Sequence, residues 1–193
     1  MYNCEKGRCF LASGSQPSPY LRSMLNKEHP VMKKIKLLLV DDEAEFLETL
    51  VDRLNLRDLK TDVAYNGQEA LSAVEEEEPD VIVLDVKMPG MDGIEVLRRL
   101  KKAYPHVEVI ILTGHGSEKD EQQARQLGAF DYLRKPADLE TLMGRITNAF
   151  QQRMKKLERM SMAATFAEAG DFDTAKEIME EHKKKGKEKE KQD

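Results

Sequence analysis

The stretch Val81-Ile82-Val83-Leu84-Asp85-Val86-Lys87-Met88-Pro89-Gly90-Met91-Asp92-Gly93 decides the fold. Four apolar residues without polar alternation read as a strand covered on both faces. Asp85 closes that strand, Met88-Pro89-Gly90 reads as a turn, and Asp92-Gly93 opens a helix carrying Ile94, Leu97 and Leu100. A strand feeding a helix in this way is one βα unit of a parallel sheet.

Working outward in both directions, the same unit recurs. Further strands are expected at Ile35–Val40, Thr61–Ala64, Val109–Leu112 and Phe130–Leu133. Phe46, Leu47, Leu50, Val51 and Leu54 form one face of a first helix, and Asn66 with Glu69 has the spacing of a capping box for a second. Ser117 caps a fourth helix running to about Leu127, and Ala137 or Asp138 starts a fifth with Leu139, Leu142, Ile146 and Phe150 inward. The expected fold is therefore α/β: a five-stranded parallel sheet wound on both faces by five helices.

The ends of the chain differ in character from this core. Residues 1–33 are rich in Ser, Gly, Pro and Asn and show no periodicity, so they are expected to be disordered; Met24 and Met32 within them are alternative starting points. Residues 34–152 hold the α/β domain. Met154, Leu157 and Met160 continue the apolar stripe of the fifth helix, and a second helix with Phe172, Ala175, Ile178 and Met179 follows Gly170, which predicts a helical extension or hairpin over 153–182. Residues 183–193, mostly Lys and Glu, read as a charged, disordered tail.

Composition excludes several classes. The chain has 193 residues, enough for one well-cored domain with appendages. Its formal net charge of -5 argues against neutralising nucleic-acid phosphates as the main task. Apolar runs such as Val109–Leu112 are far shorter than the roughly 20 residues of a membrane span, and no secretory leader opens the chain, so a cytoplasmic location without membrane insertion is expected. Cys4 and Cys9, the two cysteines, lack the further ligands of a zinc site.

The chemistry collects where strands end. Asp41, Asp42 and Glu43 follow the first strand, Asp85 the third, Thr113 the fourth, and Lys135-Pro136 the fifth. Ligands of open α/β sheets bind at the carboxyl ends of the strands. Singly, each residue has a duller explanation as a turn or cap residue; in sequence, at one edge, they form a site. Asp41, Asp42 and Asp85 crowded together require a cation, and oxygen-only ligands favour Mg²⁺, with Mn²⁺ able to substitute. Asp85 is then the nucleophile for an acyl phosphate, with Lys135 pairing with it before transfer and Thr113 donating to a phosphoryl oxygen afterwards. His29, His106 and His182 have no evident partner.

Four strings, Leu38-Leu39-Val40-Asp41-Asp42-Glu43, Val83 through Gly93, Ile111-Leu112-Thr113-Gly114 and Gly128-Ala129-Phe130-Asp131-Tyr132-Leu133-Arg134-Lys135-Pro136, resemble those of bacterial receiver domains in the two-component response-regulator family. The resemblance implies a flavodoxin-like sheet of order 2-1-3-4-5. It implies that Asp42 and Asp85 ligate Mg²⁺ directly with the Lys87 backbone carbonyl, while Asp41 acts through water. It further implies a cis peptide before Pro136, phosphoryl transfer to Asp85 from a sensor histidine kinase or phosphotransfer protein, and a switch in which Thr113 moves toward the phosphoryl group and Tyr132 turns into the space it leaves. The output is then the face of the fourth helix, fifth strand and fifth helix, offered to a downstream protein or to a second copy in a homodimer. Lys87 and His115 occupy positions that tune the loss of the phosphoryl group in this family.

Such a chain is a signalling switch and not an enzyme beyond its own phosphotransfer and autodephosphorylation. A Mg²⁺-dependent aspartate-nucleophile phosphatase would place an Asp-x-Asp on the first strand, where Asp41-Asp42 are adjacent. A DNA-binding output would need a helix-turn-helix in the last 40 or so residues, which do not show one convincingly.

Overall fold

The computed structural model describes residues 2–5, 8–11 and 35–189, with side chains described over 35–180. Two compact units result, 1–34 and 35–193. In the first, Tyr2–Glu5 pairs antiparallel with Arg8–Leu11. This departs from the expectation of disorder over 1–33; a two-stranded ribbon this short carries no long periodicity for a sequence reading to detect. The other calls on residues 1–34 lie outside the described residues.

In the second unit five strands, β1 (Leu37–Val40), β2 (Thr61–Ala64), β3 (Val81–Leu84), β4 (Glu108–Thr113) and β5 (Asp131–Arg134), form one parallel sheet in the order β2-β1-β3-β4-β5. Helices α1 (Ala44–Asn55), α2 (Gly67–Glu76), α3 (Gly93–Ala103), α4 (Glu118–Gln126) and α5 (Leu139–Glu168) follow the strands in turn. β1 and β3 are buried at every position, as strands covered on both faces must be. Leu38, Val40, Ile82, Leu84, Val109 and Ile111 share one cluster with Ala70 and Val74 of α2, Ile94, Leu97 and Leu100 of α3, and Ala124 of α4. The alternate residues Leu37, Leu39, Val81, Val83, Ile110 and Leu112 point to the opposite face, where Leu47, Leu50 and Leu54 of α1 and Leu142 and Ile146 of α5 are buried.

Local chemistry sets the helix starts. Asn66, Asp92, Ser117 and Asp138 each accept a backbone N–H through the side chain, satisfying donors that the first turn leaves free. Glu69 accepts from the Tyr65 N–H at 2.7 Å, so this box closes one residue earlier than its spacing implies. Gly93 has no substitute: a Cβ there would lie 2.0 Å from the Asp85 carbonyl oxygen, so α3 packs directly against the backbone of the strand end.

α5 runs unbroken for 30 residues, and after a turn at Gly170 (φ 84°) α6 (Phe172–Lys189) packs back along it. The helix over 183–189 replaces the expected disordered start of the tail; apart from Gly186 its residues are good helix formers that extend an existing helix. Among the described residues no helix is long and apolar enough to cross a membrane.

α5 is gripped beneath the sheet, at the edge opposite the strand ends that carry the acids. Glu108, 1% exposed, receives Lys156, Lys101 at 3.4 Å and Gln152 at 3.4 Å. Arg153 bonds Glu78 at 2.7 Å and lies 2.9 Å from Asp80. His106, for which the sequence offered no partner, pairs with Glu78 at 2.8 Å. His29 and the side chain of His182 lie outside what is described.

Candidate phosphoacceptor site

Register brings the site together. Val40 is paired with Leu84, so the next residues, Asp41 and Asp85, emerge side by side. Leu84 is paired with Ile111 and Thr113 with Arg134, which brings Thr113 and Lys135 to the same edge. The Asp85 N–H donates to the Val40 carbonyl at 2.9 Å and the Lys135 N–H to the Thr113 carbonyl at 2.9 Å, continuing the ladders one step beyond the strands. The Lys135–Pro136 peptide is cis.

Asp41 and Asp85 are 3% and 5% exposed, unusual burial for carboxylates. Burial pushes the Asp85 carboxyl above its usual range, opposed by the Thr113 hydroxyl, the Lys135 charge and the N–H groups of Lys87 and Val86. Asp41 is raised for the same reason, against bonds from Lys135 and the Glu43 N–H. Burial alone would lower the Lys135 ammonium, yet Asp41 and Glu43 together raise it.

The Lys135 ammonium sits 2.6 Å from Asp41, 2.9 Å from Glu43 and 4.0 Å from the centre of the Phe46 ring. The expected Lys135–Asp85 pair is therefore replaced: Lys135 reaches Asp85 through its charge, not through an ion pair. The reason is the start of α1, which sets an acid and an aromatic face in front of the ammonium. The sequence reading quoted Glu43 without assigning it a task and placed Phe46 in the core; an acid directly after Asp41-Asp42 was the available signal.

Asp42 is exposed. Among the described residues no three His, Cys, Asp or Glu side chains converge on a common point, so the expected cluster of Asp41, Asp42 and Asp85 is reduced to two buried carboxylates with a lysine beside them. That set still suits a hard cation, because Mg²⁺ takes one or two carboxylates and keeps several waters, and two buried acids raised by desolvation carry charge that Lys135 does not fully offset.

The Tyr132 ring is inside, 7% exposed, next to the buried Thr113. Gly116 makes the room: a Cβ there would stand 1.6 Å from the Tyr132 hydroxyl and 2.8 Å from the Thr113 methyl. The buried hydroxyl has no protein partner. His115 is exposed, its N–H donating to the Thr113 hydroxyl oxygen at 3.4 Å. Lys87 is exposed and sits 3.6 Å from Asp92 and 3.7 Å from Asp120.

The acids carry a consequence for stability. A carboxylate whose folded pKa is raised contributes stability below its unfolded value, near 3.8, that is lost as pH rises through the folded value. At neutral pH without divalent ions, Asp85→Asn is thus expected to melt above the parent, the difference closing toward pH 4; Mg²⁺ is expected to raise the parent's Tm and leave that of Asp85→Asn unchanged. Thermal melts in chelator and in Mg²⁺ check both.

A family model described as the response regulator receiver domain matches residues 37–147. The chain is 39% identical over 111 residues to sporulation initiation phosphotransferase F of Bacillus subtilis, spanning 58% of this chain and 90% of that protein. It is 36% identical over 135 residues, 70% of its length, to the uncharacterized transcriptional regulatory protein YkoG of the same organism, of which it spans 59%. A crystal structure of a response regulator receiver domain protein from Clostridium thermocellum superposes with a TM-score of 0.59 at 38% identity, covering 64% of this chain and 98% of that one.

Proposed function

Because the chain belongs to the response regulator receiver domain family of two-component signalling, we propose that Asp85 is its phosphoacceptor. The observation that carries this is the buried Asp85 carboxylate at a strand end, with Thr113 buried at the next strand end and Asp41 and the ammonium of Lys135 flanking the site. A sensor histidine kinase or phosphotransfer protein donates the phosphoryl group: a carboxylate oxygen of Asp85 attacks phosphorus, the P–N bond to the donor histidine breaks, and an acyl phosphate forms. Lys135 balances charge at the phosphoryl oxygens and Thr113 donates its hydroxyl to one of them. Asp85 and the Lys87 carbonyl, with Asp42 from the solvent side, would hold Mg²⁺, or Mn²⁺ in its place, and Asp41 would act through water; the ion would supply positive charge against that of the phosphoryl group.

Phosphorylation draws Thr113 inward and fixes Tyr132 in the pocket under Gly116, biasing the face of α4, β5 and α5. Residues 34–152 are the receiver, the second half of α5 pairs with α6 as a helical hairpin beyond it, and output runs through protein contacts, a homodimer included, in the cytoplasm. Two relatives, YkoG and TrcR of Mycobacterium tuberculosis, are named transcriptional regulatory proteins, so nucleic-acid contact is a matter for a binding assay and not for net charge alone. His115 and Lys87 set how fast water removes the phosphoryl group.

The test is to treat the full chain with acetyl phosphate and Mg²⁺. One phosphoryl adduct, labile to hydroxylamine, is expected on the parent and none on Asp85→Asn. Equal labelling of the two proteins overturns the assignment, and sustained turnover of a phosphate ester would favour the phosphatase reading.

A further inference from the structure

Lys87 joins two parts of the molecule that sequence places far apart. Lys87 stands two residues after Asp85, and its backbone N–H helps hold the Asp85 carboxyl down, so its side chain is rooted beside the phosphoacceptor. Its ammonium lies 3.6 Å from Asp92 Oδ2 and 3.7 Å from Asp120 Oδ2. Both partners are helix-start residues: Asp92 caps α3 through Oδ1, and Asp120 closes the capping box of α4, its Oδ2 accepting from the Ser117 N–H at 2.9 Å and the Ser117 hydroxyl at 2.8 Å. The segment 114–117 leading into that box is the one whose Gly116 covers the Tyr132 hydroxyl.

We propose that Lys87 is a positioning residue whose ammonium ties the start of α4 to the phosphoacceptor loop, and that a phosphoryl group on Asp85 opens the tie by taking the ammonium from Asp120. This rests on the reading of Asp85 as phosphoacceptor. Asp120 offers one negative charge already shared with two donors from Ser117, whereas an aspartyl phosphate offers about two. The Lys87 side chain is 46% exposed and carries its charge on a flexible four-carbon stem, so it can exchange partners without disturbing the core. Releasing it frees the capping box at the start of α4, at the face through which output is proposed to run.

Amide hydrogen exchange at Ser117 and Asp120 in the full chain tests the tie. In the unlabelled parent both amides are expected to be protected, with exchange rising about two- to fivefold on treatment with acetyl phosphate and Mg²⁺, the range of a partly exposed ion pair. Asp120→Asn keeps an acceptor for the Ser117 N–H and drops the charge; it and Lys87→Met are expected to exchange at the raised rate before labelling, with no further rise after it. Lys87→Arg, which keeps the charge, is expected to restore the parent's pattern, a rescue that a side chain needed only for packing would not give. Unlabelled Lys87→Met matching the parent, or an equal rise on labelling in both, overturns the proposal. Adduct mass is read in every sample: absence of an adduct on the parent strikes the phosphoacceptor reading, while the unlabelled parent, Lys87→Met and Lys87→Arg still decide whether the tie exists.

Discussion

Glu108→Ala is expected to lower stability by about 3 kcal/mol, the low end of the cost of removing one partner from a buried ion pair. Glu108 is 1% exposed and accepts from Lys101 and Lys156, whose side chains are 12% and 20% exposed. Without it two ammonium groups face each other under the sheet. For a chain of this size the loss corresponds to a fall in Tm of about 6–12 °C. Burial already pulls Lys101 down to about 8, against the charge of Glu108. The folded state therefore sheds this proton before the unfolded one does, and Lys101 contributes a rise in parent stability as pH climbs from 8 toward 10.5. In the variant Lys101 deprotonates earlier still, so the gap between the two proteins is expected to be widest well below pH 8, to narrow as pH rises toward 8, and to stay level above it. Denaturant titrations at pH 7 and pH 9 check both size and trend; a constant gap would show that repulsion between the lysines is not the cause.

Lys135→Met is expected to slow phosphoryl uptake from acetyl phosphate by about 10²–10³, the loss typical of removing one fixed donor from developing oxyanion charge. Lys135 bonds directly to Asp41 and Glu43 at the strand ends. Lys135→Arg keeps the charge but replaces a compact ammonium by a planar fork, so it recovers only part of the rate. Glu43 is 65% exposed and holds Lys135 from the solvent side; Glu43→Gln is expected to change the rate by no more than a few-fold. Rates of adduct formation by mass rank the three variants, and a Lys135→Met protein labelled at the parent rate would remove Lys135 from the mechanism.

Much of this was legible in the sequence because it rests on local signals. Apolar runs such as Val81–Leu84 mark strands by themselves, Ser117 and Asp138 announce helix starts, and parallel pairing then delivers every strand end to one edge. Partner choice was not legible in the same way. Whether Lys135 meets Asp85 or Asp41 depends on how α1 begins and where Phe46 faces, which no spacing encodes. The network under the sheet joins residues as far apart as Glu78 and Arg153, 75 positions along the chain, and charged residues read by default as solvated. The room around the Tyr132 hydroxyl was not legible either, because it depends on Gly116, a glycine that the linear pattern assigns to a plain loop.

The unbroken α5 has a mechanical consequence. At 1.5 Å per residue its 30 residues span ~45 Å, and the pairs made by Arg153 and Lys156 seize it close to its midpoint. Were it to turn as a stiff rod about that point, the Glu168 end would move opposite to the Leu139 end. A tilt of about 5° about that point would displace the far end by ~2 Å, the scale of helix shifts that re-form interfaces between subunits.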